Sequence, residues 1–197
     1  MHNAPIVLIG AGGHAKSVMA VLQVEPRRLV VAGEDESFVA TYAGERVVVT
    51  VGYVGQGAPE TSVRRKVIDF YIRMGVTFGT VIASSALVMP SASVGEGTVV
   101  LARAVVNAEA RVGCHCVLNT GVIVEHEVEL GENVNLAPGA IVLGAAKIGS
   151  NAFIGAGAIV AQGVSIGENV IVGAGAFVRA DIIESGVYVG NPLRKIR

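Results

Sequence analysis

An unbroken six-residue repeat runs through the second half of this chain. Every sixth residue over 82–178 is Ile, Val or Leu, seventeen times in succession. Four residues after each of these lies a second row, over 86–182, that contains only Ala, Val, Ile, Thr or Cys. A period of six fits neither a helix nor a simple alternating strand. It predicts a parallel β-helix, in which three repeats close one turn and residues eighteen apart stack on each other.

The two rows have different predicted positions in such a coil. We expect the branched row to point inward and the smaller row to lie at the crowded corners. An ordinary sandwich of alternating strands is the less compatible alternative. Periodicity does not set the handedness, and parallel crossovers are normally right-handed. However, copies such as Ile148-Gly149-Ser150-Asn151-Ala152 resemble the repeats of the left-handed β-helix found in acyltransferases.

A strand, a glycine-rich turn and a helix open the chain. Residues 6–9 are apolar, residues 10–15 read Gly-Ala-Gly-Gly-His-Ala, and residues 16–22 have a helical pattern. Bare backbone N–H groups at a helix N-terminus favour an anion such as phosphate. The spacing also satisfies a dinucleotide fingerprint, with Glu34 and Asp35 about twenty residues further on. A turn that merely tightens the junction between strand and helix is the alternative.

The size of this first part argues against a dinucleotide. A dinucleotide-binding Rossmann fold uses two βαβαβ halves. Only a strand at 46–51 and a helix near 62–74 remain before the repeat begins. We therefore predict an α/β half-Rossmann domain over residues 1–80 that binds a mononucleotide or nucleotide-sugar and not NAD. The β-helix domain then covers residues 81–197.

Charge and cysteine content exclude several classes of partner. The net charge is −1 and the charged residues are scattered, so no basic patch indicates nucleic acid or an anionic membrane. Residues 148–167 carry no charge and could span a bilayer by length, but five glycines and the six-residue period assign them to the β-helix. Cys114 and Cys116 indicate no disulfide framework, and the N-terminus does not resemble a signal peptide. We expect a cytoplasmic protein.

One repeat is chemically unusual. Between its two structural residues the repeat at 124–128 places Glu125, His126 and Glu127. The residues eighteen positions from His126 are Ala108 and Gly144, so the imidazole has small neighbours and space for a ligand. Histidine is a suitable general base near neutral pH, and an adjacent carboxylate can fix its tautomer. A solvated histidine on a charged outer face is the alternative.

Four motifs occur in a characteristic order along the chain. They are Gly-Ala-Gly-Gly-His at 10–14, Leu-Asn-Thr at 118–120, Glu-His-Glu at 125–127 and Gly-Asn-Pro at 190–192. Together they resemble a bacterial sugar acetyltransferase family that includes the bacillosamine-pathway and perosamine N-acetyltransferases and the sialic-acid O-acetyltransferases. The resemblance covers nearly the whole chain and implies a left-handed β-helix trimer that uses acetyl-CoA, with no metal.

The resemblance also implies residue roles. His126 would be the catalytic base, and Glu127 would raise its basicity. The nucleotide-sugar would contact Gly12, Gly13, His14, Glu34, Asp35, Gly52 and Asn119. Acetyl-CoA would lie in a groove between coils of neighbouring subunits, near Asn135, Gly144, Ala156 and Ala174.

Three positions depart from the family pattern. Asn135 stands where relatives often have a second histidine, and we expect it at a corner of the coil between Val117 and Phe153. Glu34 and Asp35 replace a usual pair of aspartates, so either acid could meet the nucleotide. Residues 190–194 read Gly-Asn-Pro-Leu-Arg, where the commoner form ends in Ala-Lys.

The predicted function is acetyl transfer from acetyl-CoA to the amine of a UDP- or GDP-linked amino-deoxy sugar. Three alternatives remain from the sequence. O-acetylation of a sialic acid would use the same fold and base. A non-catalytic trimeric nucleotide-sugar-binding protein would bind the ligand without thioester turnover. A zinc-dependent β-helix hydratase would need a cluster of histidines, and two of the four in this chain lie outside the repeat.

Overall fold

The computed structural model of the protein describes residues 6–22, 28–30, 44–52 and 63–197. Its first part is a parallel sheet with the strand order β2-β1-β3-β4. The elements of this part are β1 Ile6–Ile9, α1 Gly13–Val21, β2 Arg28–Val30, β3 Arg46–Val49, α2 Val63–Arg73 and β4 Thr77–Phe78. Helix α1 begins three residues before its predicted start, because the glycine-rich turn itself forms the first helical turn.

Both faces of this sheet are covered by apolar side chains. On one face, Ile9 and Val47 pack against Ile68 and Tyr71 of α2. On the other face, Leu8 and Val48 contribute to a second cluster. That cluster also contains Ile6, Val18, Val81, Val99 and Leu101. Since Val81, Val99 and Leu101 belong to the repeat, the sheet packs directly on the β-helix.

The repeat forms about six turns of a three-sided parallel β-helix, as the six-residue period predicts. Its strands are β5 Val81–Ile82, β6 Leu87–Val88, β7 Ser93–Val94, β8 Val99–Val100, β9 Val105–Val106, β10 Arg111–Val112, β11 Val117–Leu118, β12 Ile123–Val124, β13 Glu129–Leu130, β14 Asn135–Leu136, β15 Ile141–Val142, β16 Lys147–Ile148, β17 Phe153–Ile154, β18 Ile159–Val160, β19 Ser165–Ile166, β20 Val170–Val172 and β21 Phe177–Val178. Each strand pairs in parallel with the strand eighteen residues away, as Ile123 does with Ile141. The predicted stacking distance is therefore confirmed.

The inward row and the corner row form one continuous core. From Val100 to Val178 the branched row is almost entirely buried, and the small corner residues lie beside it. At the start of the coil Ile82 is 46% exposed, because no earlier turn lies beneath it. From residue 97 to residue 175 each corner turns through a residue with a left-handed backbone, such as Gly139 at φ 68° or Glu127 at φ 59°.

The three faces of the coil differ in their outward side chains. The polar face carries Ser93, Arg111, Glu129, Lys147 and Ser165. The covered face, whose first strands lie under the sheet, carries Val81, Val99, Val117, Asn135, Phe153 and Ile171. The apolar face carries Leu87, Val105, Ile123, Ile141, Ile159 and Phe177.

A short antiparallel hairpin follows the last coil. Strand β22 Gly186–Val189 extends the covered face and pairs with β23 Arg194–Lys195. Tyr188 and Leu193 pack on the end of the coil core. Among the described residues no helix is long and apolar enough to cross a membrane.

A candidate acetyl-transfer site

The unusual repeat places His126 at the corner between the apolar face and the polar face. Its Nδ1 atom lies 3.0 Å from Oε2 of Glu127, and both side chains are about half exposed. The corner is fixed by backbone hydrogen bonds: Glu127 N–H donates to Ala108, and Ala145 N–H donates to His126. The carboxylate can therefore hold the proton on Nδ1, which leaves Nε2 as the atom that can accept a proton.

Gly144 lies directly against the imidazole ring. A Cβ atom on Gly144 would approach Cε1 and Nε2 of His126 to 2.6 Å. Only a glycine can therefore occupy this position without displacing the ring. Within the residues that the structure describes, the Gly144 N–H donates no hydrogen bond, so a donor lies free beside the candidate base.

A polar pair adjoins the same corner. Asn107 Nδ2 donates to Oε2 of Glu125 at 3.0 Å, across one turn of the coil. Asn107 Oδ1 in turn accepts a hydrogen bond from Ala108 N–H. Glu125 is partly buried, and it immediately precedes the candidate base.

Other predicted residues lie at a different corner of the same coil. Asn119, Ala156 and Ala174 follow strands of the covered face, whereas His126 and Gly144 follow strands of the apolar face. Asn119 Oδ1 accepts from Thr120 N–H. Within one chain, these residues are therefore separated from His126 by the width of the apolar face.

Asn135 lies on a face and not at a corner. It is the outward residue of β14, paired with Val117 on one side and Phe153 on the other. The predicted neighbours are correct, but the predicted corner position is wrong. Two residues per repeat are extended, and Asn135 is the first of them.

The predicted nucleotide-binding residues that the structure describes in the N-terminal part lie together at the edge of the sheet where the parallel strands end. Gly12 and Gly13 lie at the start of α1, which has no side-chain cap and no acidic residue in its first turn. Gly52 follows β3, and a Cβ atom placed on it would lie 3.6 Å from Cβ of His14. Thr50 joins the two strand ends, since its hydroxyl donates to the carbonyls of Ile9 and Gly10. The carboxyl edge of parallel strands is where open α/β sheets bind ligands.

At this edge Arg64 is buried and His14 is partly buried. Burial, followed by the positive charge of Arg64, lowers the pKa of His14 to about 4. Its Nε2 atom is buried and has no hydrogen-bond partner among the described residues. Burial lowers the pKa of Arg64 to about 10, so Arg64 still carries its charge at neutral pH. A neutral His14 can donate or accept a hydrogen bond toward a ligand.

The acidic pair and the two cysteines add no reactive group to the site in the part of the chain that the structure describes. Glu34 and Asp35 lie outside the described residues. Cys116 is fully buried in the coil, and neither it nor Cys114 forms a disulfide. Burial raises the pKa of Cys116 to about 12, so its thiol is unreactive. No group of three or more metal-ligating side chains occurs in the described part of the chain.

Sequence reasoning did not identify Asn107, Thr50 or Arg64. Asn107 could have been found, because it lies eighteen residues before Glu125 and the repeat stacks such residues. Thr50 and Arg64 had no periodic signal, since their partners are mainly backbone carbonyls distant in sequence.

Comparison with known proteins gives matches along the whole chain. A family model described as bacterial transferase hexapeptide (six repeats) matches residues 145–180. No curated protein sequence matches. A solved structure of Caulobacter crescentus perosamine N-acetyltransferase, in complex with CoA and GDP-perosamine, is 30% identical with a TM-score of 0.85 and covers 100% of this chain and 99% of that one. A histidine-to-alanine variant of the same enzyme, with the same two ligands, is 29% identical with a TM-score of 0.87 and covers 100% and 98%.

A second enzyme gives a similar result. The acetyltransferase domain of PglB from Neisseria gonorrhoeae is 28% identical, with a TM-score of 0.84, and covers 98% of this chain and all of that domain. It has also been solved in complex with acetyl coenzyme A. These matches assign the coil to the left-handed β-helix. The chain belongs to the hexapeptide-repeat sugar N-acetyltransferase family of the Caulobacter crescentus perosamine N-acetyltransferase.

Proposed function

We propose that this protein transfers acetyl from acetyl-CoA to the amine of a nucleotide-linked amino-deoxy sugar. The observation that carries the proposal is the hydrogen-bonded pair of His126 and Glu127 beside a free Gly144 N–H. It occurs in a chain that aligns end to end with an enzyme solved with CoA and GDP-perosamine. A non-catalytic binding protein would have no use for this pair.

The geometry supports a direct transfer without a covalent enzyme intermediate. The sugar amine attacks the thioester carbonyl, and Nε2 of His126 takes the proton that the nitrogen loses. Glu127 stabilises the resulting imidazolium through Nδ1. The Gly144 N–H can donate to the oxyanion that develops on the carbonyl oxygen. When the oxyanion intermediate collapses, its C–S bond breaks, and the imidazolium of His126 returns its proton to the departing sulfur, so CoA leaves as a thiol.

A trimer would complete the site. The apolar face carries a ladder of partly exposed outward residues, among them Ile123, Ile141 and Ile159, and another protein surface could cover it. It also lies between the corner of His126 and the corner of Asn119 and Ala156. Packing the coils around this face would bring the two corners of neighbouring subunits together, with acetyl-CoA between them.

The nucleotide part of the substrate fits the edge of the N-terminal sheet. The uncapped start of α1 offers backbone N–H groups to a phosphate, with His14 and Gly52 beside it. We assign residues 1–80 to this binding domain and residues 81–197 to the acetyl-transfer domain. The two free cysteines fit a reducing compartment such as the cytoplasm.

The proposal is tested by thiol release from acetyl-CoA in the presence of a panel of UDP- and GDP-linked amino sugars. We expect turnover with at least one of them and none with free sialic acid. The matched control is His126→Ala, which should release thiol far more slowly with the same substrate. Turnover with sialic acid alone would instead identify an O-acetyltransferase, and no turnover with any acceptor would contradict the proposal.

Light scattering tests the assembly. We expect a trimer for the wild-type protein, and a smaller and inactive species for Ile141→Asp, which places a charge on the apolar face. Lys147→Asp, on the polar face, should remain trimeric. An active monomer would contradict the shared site.

A further inference from the structure

Glu125 and Asn107 form an isolated polar pair in an otherwise mostly apolar column. The outward residues at the end of successive apolar-face strands are Met89, Asn107, Glu125, Leu143, Ala161 and Arg179. Met89, Leu143 and Ala161 contribute carbon and sulfur atoms alone, and Arg179 lies in the last coil. In this column the hydrogen-bonded polar pair occurs only beside His126. We therefore relate its chemistry to the site around His126.

The pair is oriented by a defined hydrogen-bond pattern. Asn107 Oδ1 accepts from Ala108 N–H at 3.0 Å, which directs its NH₂ group toward Oε2 of Glu125. A carboxylate has a second oxygen and further lone pairs. Among the described residues, no cationic side chain lies within ion-pair distance of Glu125, and Oε1 has no hydrogen-bond partner. Glu125 therefore retains the capacity to accept a hydrogen bond from a ligand.

The two glutamates that flank His126 can have different roles. Glu127 is hydrogen-bonded to Nδ1 of His126, whereas the hydrogen bond of Glu125 is made with Asn107 and not with the ring. A carboxylate held in place next to the candidate base suits a protonated amine better than a neutral hydroxyl, since a hydrogen bond between two charged groups is stronger than one in which only the acceptor is charged.

We infer that Glu125, held by Asn107, is the specificity residue that accepts a hydrogen bond from the acceptor amine and favours an amino sugar over its hydroxy counterpart. This inference rests on the proposed function. Asn107 is a positioning residue, since it acts only through Glu125. The contact holds the nitrogen beside His126 before its proton is removed.

The test compares two ligands on two variants. Calorimetry measures the binding of the amino sugar identified in the thiol-release assay and of the same nucleotide-sugar with a hydroxyl in place of the amine. Glu125→Gln keeps an oxygen that can accept from Asn107 but removes the charge. We expect it to weaken amino-sugar binding by about tenfold, with little change for the hydroxy analogue and in the KM for acetyl-CoA.

The matched control is Glu129→Gln, which removes a carboxylate of the same coil that lies between Arg111 and Lys147 on the polar face. It should bind both ligands as the wild-type protein does. Asn107→Ala should reduce the preference for the amine, and Asn107→Ser should restore part of it.

Three outcomes decide the inference. Selective loss of amino-sugar binding in Glu125→Gln supports it. Equal losses for both ligands, or none, would overturn it. A trimer that dissociates in Glu125→Gln would also overturn it, because the carboxylate would then contact a neighbouring subunit. Failure of the proposed function is distinguishable, since it is seen in the wild-type protein as an absence of thiol release.

Discussion

The imidazole ring of His126 occupies the space that a side chain on Gly144 would need. The two residues stack eighteen positions apart, and a Cβ atom on Gly144 would lie 2.6 Å from Nε2 of the ring. The absence of a side chain at position 144 therefore allows the imidazole ring to occupy this position.

The first prediction follows from this contact. Gly144→Ala should lower kcat about tenfold to a hundredfold, because a displacement of roughly 1 Å at a catalytic group can cost that much. The N–H of residue 144 is kept, and the backbone there is not left-handed, so the protein should still fold and bind nucleotide-sugar. Steady-state kinetics and calorimetry measure the two effects.

A double-mutant cycle isolates the steric cause. In a His126→Ala background no ring is present, and Gly144→Ala should then cost little further rate. If Gly144→Ala lowers the rate by the same factor with and without His126, the steric account is wrong.

The second prediction concerns Arg64, whose buried guanidinium joins the two parts of the protein. It donates to the carbonyls of Val49, Val51 and His115 and to Oδ1 of Asn133, at 2.8–3.1 Å. Arg64→Met leaves these acceptors unpaired and should lower the free energy of unfolding by about 3 kcal/mol. Urea unfolding measures the change.

Its matched control is an exposed residue of the same helix. Lys66→Met should alter the free energy of unfolding by less than about 0.5 kcal/mol. An Arg64→Met protein as stable as the wild type would show that the buried guanidinium contributes no net stability to the junction.

The third prediction concerns the stability of the folded protein at acidic pH. Burial, and then the positive charge of Arg64, lowers the pKa values of both His14 and His115 to about 4. The ring of His115 lies edge-on to Phe78, with 4.5 Å between their centroids. The unfolded chain binds protons near pH 6.5, whereas the folded chain does not bind them until about pH 4. Stability should therefore be lost as the pH falls from 6.5 toward 4.

Urea unfolding at several pH values checks this dependence. His115→Asn suits the left-handed backbone at that position, where φ is 58°, and should make the dependence shallower over this window. The same slope in the variant as in the wild-type protein would contradict the assignment.

The fourth prediction concerns Asn135, a position where the family resemblance of the sequence implies a second histidine. Its amide can donate to an oxygen of acetyl-CoA but cannot carry a proton. Asn135→Ala should raise the KM for acetyl-CoA more than the KM for the sugar. Asn135→His should change kcat by less than about tenfold, or 1.4 kcal/mol. If Asn135→Ala abolished turnover as fully as His126→Ala, a single base would not account for the reaction.

The fold could be predicted in detail because its signal is periodic. A six-residue period states which residues point inward and which stack, so the neighbours of His126 and Asn135 follow by counting eighteen. The period does not state which residue of a repeat begins a strand, and for that reason Asn135 was expected at a corner. The left hand of the β-helix is predicted from the resemblance to acyltransferase repeats, because a six-residue period fits a coil of either hand.

The parts that lack a period were harder to predict. Arg64 bonds to three carbonyls whose positions depend on how two separate elements pack. The separation of His126 from Asn119 follows once corners are assigned to faces. We propose that assembly closes this separation, and the apolar face is the sequence feature that points to it.

The central claim is that His126 is the base of an acetyl transfer to a sugar amine. The most direct measurement is the rate of thiol release by His126→Ala, with acetyl-CoA and the amino sugar both saturating. We predict a loss on the order of 10²–10⁴, a smaller loss for Glu127→Ala, and retained binding of nucleotide-sugar in both. Wild-type turnover by the His126→Ala protein would contradict the account.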